Sequence, residues 1–253
     1  MGQQTLPERE ARLGRPMGAA AGGRTTHGVV LVLPGGAAEG TRRGSWLAAM
    51  SARPLARELV RAGAADGLTA HVVRYRYQGW NGSAAHPVVD AGWAADEVVR
   101  RYGDIPVCLA GRGIGARAAL RAAGHPAVAS VLALAPWIPE REAVLDPDPV
   151  KQLVGRQVLI VHGTDDERTT PDLSYRFAER AKKANRDVCR FEVHTEDHSF
   201  GARMREVLAL STDFALGSLF GHGFSRPLTD ALAAPPPLGL RMPLAAGFGR
   251  TNR

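Results

Sequence analysis

The sequence predicts an α/β fold, with a mostly parallel sheet of about six strands and helices on both of its faces. Short β-branched apolar runs alternate along the chain with amphipathic segments of helical periodicity, a pattern typical of doubly wound sheets. The runs at 29–33 and 131–135 are apolar at every position, as expected for strands covered on both faces. Residues 27–221 are therefore expected to form one α/β domain.

Six apolar runs are predicted to be strands, and the amphipathic segments between and after them are predicted to be helices. The strands are expected at 28–36, 69–77, 105–111, 128–136, 156–163 and 187–194. The helices are expected at roughly 46–63, 90–102, 114–124, 172–185 and 202–219. Gly63 and Gly103 end helical patterns and Pro171 begins one, in agreement with the positional preferences of Gly and Pro.

The two terminal segments, 1–26 and 222–253, are expected to be poorly ordered because they lack sustained periodicity and the second is rich in Pro. They also carry most of the net charge of +7, with four Arg against two Glu in the first and four Arg against one Asp in the second. The remaining 24 basic and 22 acidic residues form no concentrated basic stripe. The sequence therefore disfavours a nucleic-acid partner.

Other partners and cofactors have no clear sequence signal. No apolar run reaches the roughly 18 residues of a membrane span. Neither a metal-ligand cluster nor a dinucleotide fingerprint stands out, because position 116 is Ala where the Gly-x-Gly-x-x-Gly spacing needs Gly. Cys108 and Cys189 fall within predicted strands, which indicates buried thiols in a reducing compartment, so we expect a cytoplasmic protein. The sequence leaves the oligomeric state open.

Unusual residues follow the predicted strands at four points. The segments are Pro-Gly-Gly at 34–36, Gly-Arg-Gly-Ile-Gly at 111–115, His-Gly-Thr-Asp-Asp at 162–166 and Glu-Asp-His-Ser-Phe at 196–200. Doubly wound folds bind their ligands beyond the carboxyl ends of the strands. The four segments are therefore expected to contribute to one site.

Across roughly residues 27–220, these segments and their order resemble the α/β-hydrolase superfamily, and in particular its small esterases and dienelactone hydrolases. That family places its nucleophile in a tight Gly-x-Ser-x-Gly turn between a strand and a helix. Here both outer glycines, Gly111 and Gly115, are present, but Gly113 stands where the family has Ser. The resemblance implies that Asp166 is the acid of a triad and His198 the general base, in the family's chain order.

The same resemblance implies an oxyanion hole formed by the backbone amides of Ile114 and Gly36. These donors depend on backbone shape, so they are expected to survive the replacement of Ser by Gly, whereas the acyl-enzyme step is lost. Trp137 and Trp80 follow strand ends and are expected to line a substrate pocket. Only about 20 residues separate the strand near Ala135 from the next one, which leaves no room for the large helical cap of many lipases.

Each candidate also has a structural interpretation. Gly113 fits a simple turn, Asp166 (or its neighbour Asp165) fits a turn carboxylate, and His198 fits a surface loop. The tryptophans equally fit packing beneath loops. Four other side chains carry a sulfur or hydroxyl that could replace the missing nucleophile, although no pattern supports any of them: Cys108, Cys189, Ser45 and Ser199.

The sequence leaves three functions open. The first is a hydrolase-fold protein whose serine chemistry is absent or strongly reduced, with weak attack by water, assisted by His198 and Asp166, on a small ester or lactone. The second is an enzyme that uses His198 and Asp166 as a base for lyase or isomerase chemistry. The third is a non-catalytic binding or interaction module on a hydrolase scaffold.

Overall fold

A computed structural model describes residues 9–194 and 200–250 of the chain. Its strands are β1 (Arg12–Leu13), β2 (Met17–Gly18), β3 (Gly28–Leu33), β4 (Leu68–Arg74), β5 (Val107–Arg112), β6 (Val128–Leu134), β7 (Gln157–Gly163), β8 (Val188–Val193) and β9 (Met242–Pro243). Its helices are α1 (Trp46–Ala62), α2 (His86–Tyr102), α3 (Ile114–Ala122), α4 (Glu140–Leu145), α5 (Pro171–Ala184), α6 (Met204–Phe220) and α7 (Arg226–Ala233).

The strands form one sheet in the order β1-β4-β3-β5-β6-β7-β8-β9, with β2 also paired to β4. Strands β3 to β8 pair in parallel and coincide with the six predicted strands, while β1 and β2 run antiparallel to β4. The predicted fold class is therefore confirmed. All parallel strands end at one edge of the sheet, which gathers the loops that follow them.

The sheet separates two apolar cores, and this explains the uninterrupted apolar runs of its strands. Along β3, Val29, Leu31 and Leu33 face the core that contains α2, α3 and α5. Val30 and Val32 face the opposite core, which contains α1, α6 and α7. Because successive side chains of a strand point to opposite faces, both sets must be apolar.

The terminal segments contribute elements that the sequence pattern does not predict. On one side, Gly14 donates its amide hydrogen to Val72 O over 2.9 Å and its carbonyl accepts from buried His71 at 2.8 Å. On the other, β9 pairs with β8 and the Leu240 carbonyl accepts from buried Arg190 over 3.0 Å. Both segments cover edges of the sheet, where they satisfy backbone groups that would otherwise lack partners.

The connection between β6 and β7 is short, as predicted, and contains α4 and a single 3₁₀ turn. Arg117 of α3 holds this connection in place through two carboxylates. The guanidinium is 1% exposed and donates to both carboxylate oxygens of buried Asp148, at 2.8 and 3.0 Å. It also pairs with Glu142.

No helix among residues 9–194 and 200–250 is long and apolar enough to cross a membrane.

Replacing Arg117 with Met should lower the free energy of unfolding by about 3 kcal/mol, because the carboxylate of Asp148 would lose its bidentate buried partner. The matched control is Arg61→Met, which removes an exposed ion pair with Glu58 and should cost less than about 1 kcal/mol. Urea denaturation followed by circular dichroism measures both. Equal losses in the two variants would contradict the anchoring role.

Candidate functional site

The turn between β5 and α3 has little room for side chains at its outer positions. An ideal Cβ on Gly111 would lie 2.3 Å from the backbone of Gly115, and one on Gly115 would lie 2.1 Å from Leu33 O. At Gly113 the backbone has φ 56° and ψ −119°, yet a Cβ there would meet no atom within 4 Å. Gly113 therefore faces open space, in a positive-φ backbone conformation that residues with a side chain rarely adopt.

That open space belongs to a cleft of about 930 Å³ at the carboxyl edge of the sheet. The predicted site residues that line it are Gly36, Gly113, Ile114, Trp137 and Asp166. They come from the loops after β3, β5, β6 and β7. The structure thus brings together the strand ends that the sequence motifs mark, within the size range of small-molecule sites, about 300–1,000 Å³.

The sequence predicts an oxyanion hole formed by the amides of Ile114 and Gly36, and both residues line the cleft. Ile114 is the first residue of α3, so its N–H has no acceptor within the helix. In the loop after β3, the N–H of Ala37 is already bonded, because it donates to Gln78 O over 3.0 Å. The neighbouring Gly36 is therefore the better candidate for the second oxyanion donor. An ideal Cβ on Gly36 would lie 2.6 Å from Gln78 O and 3.6 Å from the Ile114 side chain. The two residues therefore lie side by side.

Asp166 is buried at the cleft wall, and its carboxylate is bound mainly by its own loop. Oδ1 accepts from the amides of Arg168 and Thr169, each at 2.9 Å, and Oδ2 accepts from the Thr169 hydroxyl at 2.6 Å. The Nε2 atom of His162 lies 3.7 Å from Oδ2, an electrostatic contact rather than a hydrogen bond.

Burial by itself would raise the pKa of Asp166, but the His162 ring, the Thr169 hydroxyl and the two amides outweigh it. The pKa of this carboxyl therefore lies well below its usual range, and Asp166 carries its negative charge throughout the neutral pH range. A fixed carboxylate of this kind is suited to orienting an imidazole, and it also suits the turn role that the sequence leaves open.

His198, the predicted general base, lies outside the described residues, as do the three residues before it and the one after it. Its distance from Gly113 and Asp166 stays a prediction. Phe200, the last residue of the same sequence segment, is described, and its side chain is buried at the cleft.

The two predicted pocket tryptophans occupy different places. Trp137 lines the cleft, and its backbone N–H donates to the Gly113 carbonyl over 3.1 Å. Trp80 is 1% exposed and does not reach the cleft wall. Its ring packs under the Arg117 guanidinium, at 4.1 Å, and against Trp137, at 6.3 Å between ring centroids. The expectation that Trp80 lines the substrate pocket therefore needs correction. Trp80 instead packs behind Trp137, which forms the cleft wall.

The described alternative nucleophiles are poorly suited to attack. Burial raises the pKa of the Cys108 thiol to about 11 and that of Cys189 to about 12, so both remain neutral thiols within strands. Ser45 lines the cleft but caps the N-terminus of α1, where its hydroxyl accepts from the Ala48 amide at 3.3 Å.

Sequence reasoning missed the walls of the cleft away from the strand ends. One is an α1 face whose members follow helical spacing: Ala48, Ser51, Ala52 and Leu55. The others are Met204 and Leu208 of α6, together with Arg112 and Arg168. Helical periodicity predicts the apolar faces, but it does not predict which part of each face opens onto a cleft.

Comparison with solved structures shows the α/β-hydrolase fold. The chain superimposes on esterase Pf2001 of Pyrococcus furiosus with a TM-score of 0.60, at 15% identity over 77% of this chain and 82% of that one. For a putative α/β hydrolase of Agrobacterium tumefaciens the TM-score is 0.59, at 16% identity over 85% and 93%. For Est1E of Butyrivibrio proteoclasticus, which was solved with ferulic acid, it is 0.61, at 12% identity over 85% and 97%.

No protein-family model matches the chain, and neither does any curated protein sequence. The likeness therefore lies in the fold.

Among residues 9–194 and 200–250, no three His, Cys, Asp or Glu side chains converge as metal ligands would.

The turn geometry predicts different tolerances at its glycines. Gly113→Ala should lower the free energy of unfolding by about 1–3 kcal/mol, because only the backbone conformation opposes it. Gly115→Ala should cost about 4 kcal/mol or more, since the methyl group would collide with the β3 backbone. Thermal and urea unfolding of both variants would reveal the difference. If Gly113→Ala were the more damaging change, the assignment of open space to Gly113 would be wrong.

Proposed function

We propose that this protein is an esterase-like or lactone-hydrolase-like member of the α/β-hydrolase fold in which Gly113 occupies the nucleophile position. It binds a carbonyl compound in the cleft and lacks acyl-enzyme chemistry, because glycine has no atom that could form the covalent intermediate. The observation that carries the proposal is the turn itself. Gly113 combines a positive-φ backbone conformation, which only glycine adopts readily, with open space toward the cleft, directly before the first N–H of α3.

The remaining groups support a weak, water-mediated reaction in this proposal. A substrate carbonyl oxygen would accept from the amides of Ile114 and Gly36, which would stabilise negative charge as it develops. His198 would remove a proton from a water molecule beside Gly113, and Asp166 would orient and stabilise the imidazolium. Hydrolases that lose their triad residues retain about 10³–10⁴-fold acceleration over water from such features.

A serine at position 113 should create a working hydrolase. In Gly113→Ser, the rate of p-nitrophenyl acetate hydrolysis should exceed that of Gly113→Ala by at least about 100-fold, because both variants share the backbone cost and only Ser supplies a nucleophile. Denaturation curves would first establish that both variants fold. Rates that stay equal in two folded variants would sink the nucleophile assignment.

The unmodified protein offers a separate test of the water mechanism. Slow hydrolysis of small esters and lactones should fall by at least about tenfold in His198→Ala, since a general base contributes about 10²–10⁴-fold. His125→Ala is the matched control, because His125 lies on the opposite side of the domain from the cleft loops, paired to Asp96. Identical rates in all three proteins would dismiss a base role for His198.

Two alternative proposals use the same cleft. In one, His198 and Asp166 act as a base for lyase or isomerase chemistry. In the other, the protein binds its partner without catalysing a reaction.

A further inference from the structure

The first two residues of α1 carry large apolar side chains that lie in solvent. Trp46 is 65% exposed and Leu47 is 70% exposed. The buried residues of the helix are instead Leu55, Ala56 and Leu59, so the contact of α1 with the sheet does not need the exposed pair. Neighbouring exposed apolar side chains with a polar rim are typical of an interaction surface.

The residues before α1 bring positive charge to this pair. Arg42 and Arg43 are both exposed. The next residue, Gly44, lies against the end of β4, because an ideal Cβ on it would be only 2.8 Å from Tyr75 O. Arg74, the last residue of β4, is exposed as well. Two positively charged segments therefore meet at the start of α1.

Arg12 of β1 adds a third segment to the same surface. It is exposed and lies directly opposite Arg74 in the pairing of β1 with β4, so the two side chains share one face of the sheet. That face is the one covered by α1, because Val72, two residues before Arg74, belongs to the core on that side. Arg74 and Trp46 also line one small surface hollow. The fold thus gathers arginines that the sequence keeps apart.

No carboxylate neutralises this positive charge within the part of the chain that the structure describes. Arg12, Arg42, Arg43 and Arg74 take part in none of its ion pairs. The stretch 9–57 carries eight Arg against two Glu. Like charges directly opposite each other in a sheet are destabilising, so an anionic partner would relieve the repulsion between Arg12 and Arg74.

We propose that the protein docks on the surface of membranes that contain anionic phospholipids. The docking surface consists of Arg12, Arg42, Arg43, Trp46, Leu47 and Arg74. The two apolar side chains enter the boundary between headgroups and acyl chains, where Trp is favoured, and the guanidinium groups bind the anionic headgroups. A nucleic acid would engage the arginines but leave Leu47 in water, whereas a lipid surface engages both parts.

Docking of this kind needs no membrane-spanning segment, and it goes beyond the function proposed for the cleft. Ser45 and Ala48 lie on either side of the apolar pair in the sequence, and both line the cleft. The docked protein therefore presents the rim of its cleft to the lipid surface.

Sedimentation of the unmodified protein with sucrose-loaded vesicles tests the docking. Vesicles of phosphatidylcholine with about 30% phosphatidylserine should bind the protein at least about tenfold more tightly than vesicles of phosphatidylcholine alone, because each guanidinium near an anionic surface contributes about fivefold. Raising NaCl from about 0.1 M to about 0.5 M should weaken binding to the anionic vesicles at least about tenfold, since salt screens exposed charges.

A second exposed apolar pair supplies the matched control. Val144 and Leu145 of α4 are 69% and 71% exposed, but their neighbours in the sequence include three acidic residues, Glu140, Glu142 and Asp146. Trp46→Ser combined with Leu47→Ser should weaken binding to anionic vesicles at least about tenfold, because the apolar insertion is lost. Val144→Ser combined with Leu145→Ser should leave it unchanged. Circular dichroism would establish that both variants fold.

Charge reversal separates the arginines of this surface from the net charge of the protein. Arg42→Glu combined with Arg43→Glu should reduce the preference for anionic vesicles to less than about threefold. Lys183→Glu combined with Arg186→Glu changes the net charge equally, at exposed positions at the end of α5. Because α5 covers the opposite face of the sheet, this control should keep the full preference.

The fluorescence of Trp46 reports whether its ring enters the lipid. On anionic vesicles its emission should shift to shorter wavelength and be quenched by lipids with brominated acyl chains, since the ring moves from water to the headgroup boundary. Trp46→Phe should still bind but lose the shift, because the remaining tryptophans, Trp80, Trp93 and Trp137, are buried or half-buried.

Equal binding to neutral and anionic vesicles would overturn the proposal, as would equal effects of the two serine double variants. Tighter binding to a single-stranded DNA oligonucleotide than to anionic vesicles would assign the surface to nucleic acid instead. Self-association in analytical ultracentrifugation that the Trp46 and Leu47 variant abolishes would assign it to a second copy of the chain. Vesicle binding does not depend on the activity of Gly113→Ser, so the docking and the proposed function fail separately.

Discussion

The close approach of β3 to the start of α3 is the constraint on which the candidate site depends. Because a Cβ on Gly115 would lie 2.1 Å from Leu33 O, the helix can begin at this point only if residue 115 lacks a side chain. The contact holds the loop after β3 against the first turn of α3. As a result, Gly36 lies against Ile114, with 3.6 Å between an ideal Cβ on Gly36 and the Ile114 side chain.

Buried side chains at and behind the cleft wall stabilise the loops that form the site. Arg117 lies one turn along α3 and joins the helix to the connection after β6 through Asp148 and Glu142. It also packs on Trp80, which supports Trp137 at the cleft wall. Asp166 is fixed by its own loop in a similar way. The connections after β6 and β7 are thus held by the buried charges of Arg117, Asp148 and Asp166.

The sequence predicts most of the fold because the six parallel strands are covered on both faces, which leaves a strong apolar signal in each. It does not predict β1, β2 or β9, since two-residue strands form by pairing with an existing sheet edge and have no periodicity of their own. The strand-end motifs predict which loops share the site. They do not distinguish Trp137 from Trp80, because only the packing of Trp80 against Arg117, far away in sequence, decides which ring reaches the cleft.

An imidazole, a carboxylate and two amides are proposed to surround the position of Gly113. A crystal structure of the Gly113→Ser variant tests this most directly, through the distance from the introduced serine hydroxyl to the nearer ring nitrogen of His198. We expect a hydrogen bond of about 2.6–3.2 Å, with Asp166 in contact with the other ring nitrogen. A His198 ring that points away from the cleft, beyond the reach of one bridging water, would contradict this arrangement.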